Sequence, residues 1–530
     1  MRKLSLLSLA VAVTGVVFAA DPPRMDISSI LSYNSALSLE KTLVGENGIK
    51  GCVADFNGDG YDDFILTGLY QADASTTKGF LNVYLGQQTG VPALAYNDDD
   101  FKVVGNGAID YVKLNDGSFN IVLQGGAVGN WTNPFKGQIY NLKVVGSSVN
   151  FDYVMDLDYG GGRNSIYFLD MDGDGFADIF QGGWRAVDSW DAKTQIYMND
   201  GTNEWFDLEG YAAGEEPIRP ANNTFVVKGD LNNDGRIDLV QAVQGAALVA
   251  YFNNGDKTFT EYIVTPFALA DRTDGMNIRG EEDGTQIELI DFNGDGLLDI
   301  VLSGTNDNAS TWSYVLMLFK NNGDGTFTEI AHTNKEGNAV TFIGGQRGDF
   351  AIADFDGDGK QDFILGAENQ NDAGAWVCRT FFFGGNGKGG FDQSDITYGD
   401  TNPLGIVPMS RRGNFGRFLT GDFNGDGKPD LITAGADYYG NNAGLRYYQN
   451  VGKGGTGIES VQSNAKIYST NKTVYVTDAE INASVKVYNL TGVLVYGFVM
   501  DSESTVFTLN ADPGIYIVKV GSKTQKIVIK

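Results

Sequence analysis

Oxygen-bearing side chains recur at one fixed spacing in this chain. In Asp291-Phe292-Asn293-Gly294-Asp295-Gly296-Leu297-Leu298-Asp299 they hold positions 1, 3, 5 and 9, with Gly at position 6 and the apolar run Ile300-Val301-Leu302 directly after. Hard cations need several carboxylate or amide oxygens closing on one point, and the sharp turn of such a loop suits glycine. The phrase occurs six times. The other copies are Asp55/Asn57/Asp59/Asp63, Asp170/Asp172/Asp174/Asp178, Asp230/Asn232/Asp234/Asp238, Asp354/Asp356/Asp358/Asp362 and Asp422/Asn424/Asp426/Asp430. Position 7, held by Tyr61, Phe176, Arg236, Leu297, Lys360 and Lys428, completes the expected metal set through its backbone carbonyl. Six loops in register exclude chance.

The loops also set a period. After the Asp170 copy they return about every 60 residues, whereas the step from Asp55 to Asp170 is nearly twice that, so a further unit is expected near residue 112. Val112-Lys113-Leu114-Asn115-Asp116-Gly117-Ser118-Phe119-Asn120 matches it, with Val112 and Leu114 where ligands belong. That copy keeps the fold and is expected to lack the ion. Each unit reads as strand, Asp loop, strand, variable loop, strand, tight turn, strand. Seven such units predict an all-β fold, a seven-bladed β-propeller over residues 33–455 followed by a small C-terminal β-sandwich. A linear β-solenoid has much shorter repeats. The last repeat lacks an outer strand after Asn450, and the segment 36–43 is expected to supply it.

Composition bounds the partners. The 530 residues carry a formal net charge of −29 with pI about 4.3, which argues against a nucleic-acid partner and fits cation capacity. A single histidine, His332, argues against histidine-rich zinc sites and Ser-His-Asp hydrolysis. Two distant cysteines, Cys52 and Cys378, exclude a disulfide framework and read as unpaired buried thiols. Residues 1–20, with Arg2, Lys3 and the apolar run to Ala19, read as a signal peptide cut after Ala19 or Ala20, followed by a linker over 21–32. No later stretch is apolar enough to span a bilayer, so the mature chain is expected outside the cell, a setting that suits calcium.

These Asp loops resemble the FG-GAP/VCBS repeats, the calcium-bearing propeller repeats also found in integrin α-subunits. The resemblance covers about residues 33–455, the Val112 copy departing from it. EF-hand and dockerin loops share only the first half: position 12 here is Leu66, Gln181, Gln241 or Leu302 instead of Glu. The resemblance implies about six calcium ions and a role in adhesion or ligand recognition. Residues 456–530 differ in charge and pattern. Val485–Gly492, Pro513–Val520 and the basic end Lys523, Lys526 and Lys530 look like the sorting domain of type IX secretion cargo. That implies export through the periplasm to the outer cell surface, with the type IX machinery as partner. A carbohydrate-binding sandwich is the alternative, weakened by the absence of Trp from the tail.

Strand parity places the second-to-third loops and the blade-to-blade connections on the face opposite the Asp loops. Aromatics fall there: Tyr70, Trp131, Trp184, Trp190, Trp312, Trp376, Tyr438 and Tyr439, among short polar residues that suit sugars. Packing between blades is an equal reading for any one of them. The connections carry Lys50, Arg163, Arg279, Arg347, Arg411 and Arg412, whose forks suit carboxylate or sulfate, or pair with nearby acids such as Glu281, Glu282 and Asp349. Arg347-Gly348-Asp349 spells RGD by chance beside an inner strand. The expected function is a binding or adhesion module for glycan or protein ligands, with no catalytic residue assigned. A polysaccharide lyase or hydrolase on a propeller scaffold is the alternative, without a distinct carboxylate pair to support it.

Overall fold

The computed structural model describes residues 22–23, 25, 27–34, 42–43, 49–72, 76–88, 90–102, 108–127, 130–134, 137–157, 165–184, 192–202, 205–207, 216–220, 225–243, 246–268, 276–278, 285–308, 313–370, 376–397, 410–411, 414–415, 417–435, 444–452, 466–477, 484–488, 494–500, 502, 504–509, 511, 513–520 and 523–530. Residues 1–20, the expected signal peptide, lie outside them. Among the described residues no helix is long and apolar enough to cross a membrane.

Each Asp loop joins two strands that pair antiparallel, and the following hairpin adds two more. The fifth unit shows the pattern: Thr285–Ile290, Asp299–Asn306, Ser313–Asn321 and Phe327–Ile330 form one sheet in that order. Its second strand is buried on both faces, with Ile300, Val301 and Leu302 fully covered, which explains an unbroken apolar run instead of alternation. Six of seven such sheets follow this plan with their own four strands. They start at Lys50, Ala108, Ser165, Phe225, Thr285 and Gln346. The seventh has Arg417–Gly421, Asp430–Gly435 and Gly444–Asn450, completed from elsewhere.

The sheets stack in a ring. Seven apolar cores lie one between each pair of neighbours, including one that joins the seventh sheet (Leu419, Phe423, Ile432, Tyr447) to the first (Phe64, Leu66, Phe80, Tyr84). Their innermost strands likewise neighbour each other in chain order, the last beside the first. Four-stranded antiparallel sheets arranged radially around an axis are the blades of a β-propeller.

Closure differs from expectation in its segment. Leu31–Asn34, not 36–43, is the outer strand of the seventh blade, with Leu31 opposite Asn450 and Asn34 opposite Tyr447. Of the expected segment, 35–41 lie outside the described residues, and Thr42–Leu43 pairs with Gln71 and Tyr70 of the first blade. Burial decides between the two stretches. Leu31 is fully buried with Ile27 and Ile30 against Phe418, Leu431 and Tyr448, and Tyr33 packs its ring 5.5 Å from that of Tyr448. Upstream, Met25 and Asp395 exchange backbone bonds with the outer strand of the sixth blade: Met25 donates to Asp395, and Asp395 donates to Pro23, both at 2.9 Å.

The second blade turns more tightly than the rest. Lys113 pairs with Phe119, enclosing five residues, whereas Ile290 pairs with Asp299 around eight. Asp116 there accepts the N–H and hydroxyl of Ser118 within an ordinary turn. The tail forms a separate compact unit. It has a three-stranded and a four-stranded sheet sharing a core of Val474, Val476, Val485, Val487, Val518 and Ile527.

Candidate functional site

The Asp loops are built by their own side chains. In the first, Asp55 accepts the N–H groups of Gly58 (2.7 Å), Asp59 (3.1 Å) and Gly60 (3.0 Å). Asn57 then accepts from Asp59 and Asp59 from Tyr61. Position 1 does the same in other copies: Asp230 accepts from Asp234 and Gly235, Asp291 from Gly294, Asp295 and Gly296, and Asp422 from Asp426 and Gly427. Successive side-chain-to-backbone turns of this kind coil the chain round one point. Two residues must take positive φ, Gly58 at 76° and Gly60 at 92°. In the fourth blade Asn233 stands at the first of these places with φ 57°, a conformation Asn tolerates.

Two loops bring three carboxylates together. Oxygens of Asp170, Asp172 and Asp174 lie within 4.8 Å of one another, as do those of Asp354, Asp356 and Asp362. Converging anions repel unless a cation sits among them. Basic side chains already approach the loops: Lys257 Nζ, from the next blade's hairpin, is 3.4 Å from Asp172, Lys320 Nζ, from the third strand of the same blade, is 3.6 Å from Asp295, and Arg236 contacts Asp234 within one loop. The residues of these two loops fit a hard cation.

Hydrogen bonding around the oxygens differs from loop to loop. In the sixth blade the converging group takes in buried Asp362 from position 9. The Asp358 N–H donates to Asp356 at 3.1 Å, so the residue serves the turn. In the four loops with Asn at position 3 the amide both accepts and donates within the loop. Asn232 accepts the Asp234 N–H at 3.1 Å and donates its amide to the Asp234 carboxylate at 2.9 Å. Asn57 makes the same pair with Asp59. Asn424 is buried; it accepts the Asp426 N–H at 2.9 Å and donates to Asp430 at 3.1 Å, as Asn293 does between Asp295 and Asp299. Asp426 in turn accepts the Lys428 N–H at 3.0 Å. Asn232, Asn424 and Asp426 each accept a backbone N–H within their own loop.

Position 9 has a further task. Asp63 is fully buried and accepts N–H groups from Phe56 (2.9 Å) inside its loop and Gly86 (2.8 Å) in the hairpin beyond the third strand. Asp178 does the same with Met171 and Asn199, Asp238 with Leu231 and Asn253, and Asp362 with Phe355 and Gly385. Asp299 takes Asn321 and the Asn293 amide, and Asp430 takes Asn450 and the Tyr447 hydroxyl. The hairpin asparagines pass the link on to the preceding blade. Asn253 donates to the Asp170 carbonyl (2.8 Å), Asn321 to that of Leu231 (2.7 Å) and Asn450 to that of Phe355 (3.0 Å). Loop, hairpin and neighbouring loop are therefore one hydrogen-bonded belt.

A second polar set, unforeseen from sequence, lies at the axis. Each innermost strand contributes: Cys52, Asp110, Tyr167, Lys228, Glu288, Asp349 and Arg417. Lys228 pairs with Asp110, which also accepts the N–H of Phe168 (2.7 Å) on the next blade. Arg417 pairs with Asp349 at 3.2 Å, and Asp349 accepts the Phe418 N–H at 2.7 Å. Tyr167 donates to the Val226 carbonyl (2.6 Å). These contacts satisfy backbone groups that adjacent blades leave unpaired. Burial raises the carboxyls of Asp110 and Asp349 and the thiol of Cys52.

Glu288 has no such anchor beyond its own neighbour, the Leu289 N–H. Burial, first, and Asp349 push its carboxyl up to about 7, against the pull of Arg417. A carboxyl that binds its proton more tightly folded than unfolded costs stability as pH rises from its unfolded value of 4.5 to the folded one. Glu288→Gln is expected to match the wild type near pH 4 and to exceed it by about 2 kcal/mol near pH 8, somewhat under the full shift because the axis is partly wet. Urea unfolding at both pH values reads this; a difference independent of pH would refute it.

The expected ligand face is only partly within the described residues. Trp190, Trp312, Tyr438, Tyr439, Arg163, Arg279 and Arg412 lie outside them. Trp184 ends a second strand and Trp376 begins a third, and Trp131 belongs to the short strand Asn130–Pro134. Tyr70 is a correction: it is a buried strand residue beside Phe80, donating its hydroxyl to the Asp99 carbonyl. Arg347 takes φ 54° at a bulge and pairs at 3.1 Å with Glu368, which is fully buried and also accepts the Gln346 amide. Its charge is thus already compensated. The RGD triplet is built into the strand, Asp349 being 5% exposed. His332 stacks on Phe342 at 4.6 Å and accepts its N–H, and burial lowers its basicity, so it is a packed neutral ring. Cys52 and Cys378 are both free thiols.

Sequence reasoning missed an aromatic rim on the outer strand of the first blade and the two outermost strands of the second: Tyr96, Tyr140, Phe151 and Tyr153. Its only signal was alternation in Ser148–Asp156 that leaves large residues exposed.

Comparison with known proteins finds the FG-GAP-like repeat at residues 230–302 and 291–365 and the FG-GAP repeat at 416–452. No curated protein matches. Among solved structures, a fungal alcohol oxidase of the AA5 family in complex with copper overlaps with TM-score 0.48 and 10% identity, over 94% of this chain and 99% of that one. PorZ, a surface component of the type IX secretion system of Porphyromonas gingivalis, gives 0.30 and 12% over 89% and 69%. An α-L-arabinofuranosidase from Fusarium graminearum gives 0.38 and 12% over 65% and 92%. Overlaps this loose carry no inference about activity. What the comparisons add is the repeat itself: three matched segments, each containing Asp loops, lie within the propeller.

Proposed function

We propose that this chain is a secreted or cell-surface β-propeller, stabilised by calcium at its Asp loops, that acts as a binding or adhesion module through the opposite face. The tail, 456–530, is read as a type IX sorting domain and the first 20 residues as a signal peptide. The observation that carries the reading is the use of position 9. Every such Asp accepts a backbone N–H from the hairpin, Asp362 while also converging with Asp354 and Asp356, so an ion in the loop would reinforce a scaffold. Scaffold on one face leaves recognition to the other, where loops vary.

The ligand is read as glycan or protein. The acidic-glycan form of that reading is weakened by Arg347, whose guanidinium faces a buried carboxylate. A glycan array probed with the mature chain, in calcium and after chelation, tests the carbohydrate arm. Capture in calcium supports it, and an empty array in both states removes it. Release of unsaturated products from uronic-acid polymers would replace binding by lyase chemistry.

A further inference from the structure

The outer strand of the first blade and the two outermost strands of the second bring four rings together. Tyr140 stacks on Phe151 at 4.7 Å and 17°, Tyr153 meets Tyr140 edge-on at 5.9 Å, and Tyr96 lies 5.8 Å from Phe151. Phe101, buried, backs Tyr140 at 5.5 Å. Interblade packing accounts for the inner rings. It does not account for Tyr153, which is 55% exposed on a strand held in register by Tyr140.

Acids surround the rings. Asp98, Asp152 and Asp156 act on the rim tyrosines: burial raises the Tyr96 and Tyr140 hydroxyls first, and these carboxylates raise them further. Asp156 accepts the Gln138 amide at 2.8 Å, Gln138 in turn accepts the Tyr140 hydroxyl at 2.8 Å, and Asp98 accepts the Asp100 N–H. Among the described residues no lysine or arginine comes within ion-pairing distance of Asp98, Asp152 or Asp156. The two nearby lysines, Lys78 and Lys102, both go to Asp100.

An exposed ring face carries negative quadrupolar charge, and carboxylates around it add to the same sign. A neutral ligand would gain only the stacking and would bury part of the carboxylates' hydration. A cationic side chain gains from both, and its alkyl stem covers the ring. We propose that this rim, centred on Tyr153 and Tyr96 with Asp98, Asp152 and Asp156, docks lysine or arginine side chains on a basic segment of a partner protein. The proposal rests on reading this end of the propeller as the ligand-binding one. It names the partner's chemistry there.

The test measures binding of hexa-arginine and hexalysine to the full mature chain in calcium by titration calorimetry at physiological ionic strength. Tyr153→Ala, which alters no charge, is expected to weaken binding at least fivefold, with an unchanged melting temperature certifying its fold. Asp98→Asn combined with Asp152→Asn and Asp156→Asn is expected to weaken binding further and flatten its salt dependence. Equal affinity of Tyr153→Ala and wild type would overturn the proposal, since attraction would then come from the overall charge of the chain. Displacement of the peptide by neutral oligosaccharide would overturn it in favour of a sugar. Capture on the glycan array with no peptide binding would remove this rim and leave the broader reading standing.

Discussion

Chelation with EDTA is expected to lower the melting temperature of the propeller by roughly 5–10 °C. The estimate begins from the two loops whose carboxylates converge within 4.8 Å, Asp170/Asp172/Asp174 and Asp354/Asp356/Asp362. At 5 mM calcium and a dissociation constant of about 10⁻⁴ M, typical of extracellular modules, each site contributes about 2.3 kcal/mol. Two sites give about 5 kcal/mol, and each kcal/mol moves the midpoint of a domain this large by about 1–2 °C. The mechanism is specific. Without the ion the carboxylates repel, the coil around position 1 loosens, and the belt through Asn253, Asn321 and Asn450 loses its fixed end. Asp170→Asn with Asp172→Asn is expected to remove part of the calcium-dependent shift. Superimposable melts in calcium and EDTA would end the argument.

The second large effect is expected at the axis. Arg417→Met removes the partner of Asp349, a carboxylate 5% exposed and already bound to the Phe418 N–H. Breaking a buried pair from one side leaves an uncompensated charge and costs about 3–5 kcal/mol. The lower end applies, because the Arg417 side chain is 31% exposed to the axial space. Adding Asp349→Asn should recover much of the loss, since the stranded charge is then gone. Urea unfolding of the single and double variants measures both steps. A single variant within 1 kcal/mol of wild type would show that water in the axis does the work assigned to Arg417.

What could be read from sequence followed range. The Asp loops are local: about twelve residues carry the oxygens, the glycines and the start of the apolar strand, so their form was legible from residue types alone. Their differences were not, because an amide such as Asn232 or Asn424 offers the same oxygen as an Asp on paper. Only the structure shows its N–H turned to a neighbouring carboxylate. The tighter turn at Leu114–Ser118 was half legible, as lost ligands but not as a shorter hairpin. Closure was legible as a need, because the last blade visibly lacked a strand. Its segment was misplaced, because alternation in 36–43 resembles a strand as well as Leu31–Asn34 does, and only burial against Phe418 and Tyr448 separates them. The axial set was not legible. Its seven members lie roughly sixty residues apart, at different offsets from their loops, and meet only once the ring is formed. The rim needed two blades side by side.

The strand that closes the ring is near the start of the chain and pairs with Tyr447–Asn450, nearly the last part of the propeller. Pairing across so long a separation is slow, because loop closure must precede any gain from the contact. Until then Gly444–Asn450 presents a bare edge and Leu31 an uncovered apolar side chain, the features through which half-made propellers aggregate. The ring is thus a structure with no native intermediate short of the whole. Any N-terminal processing that cut beyond residue 30 would take its last strand.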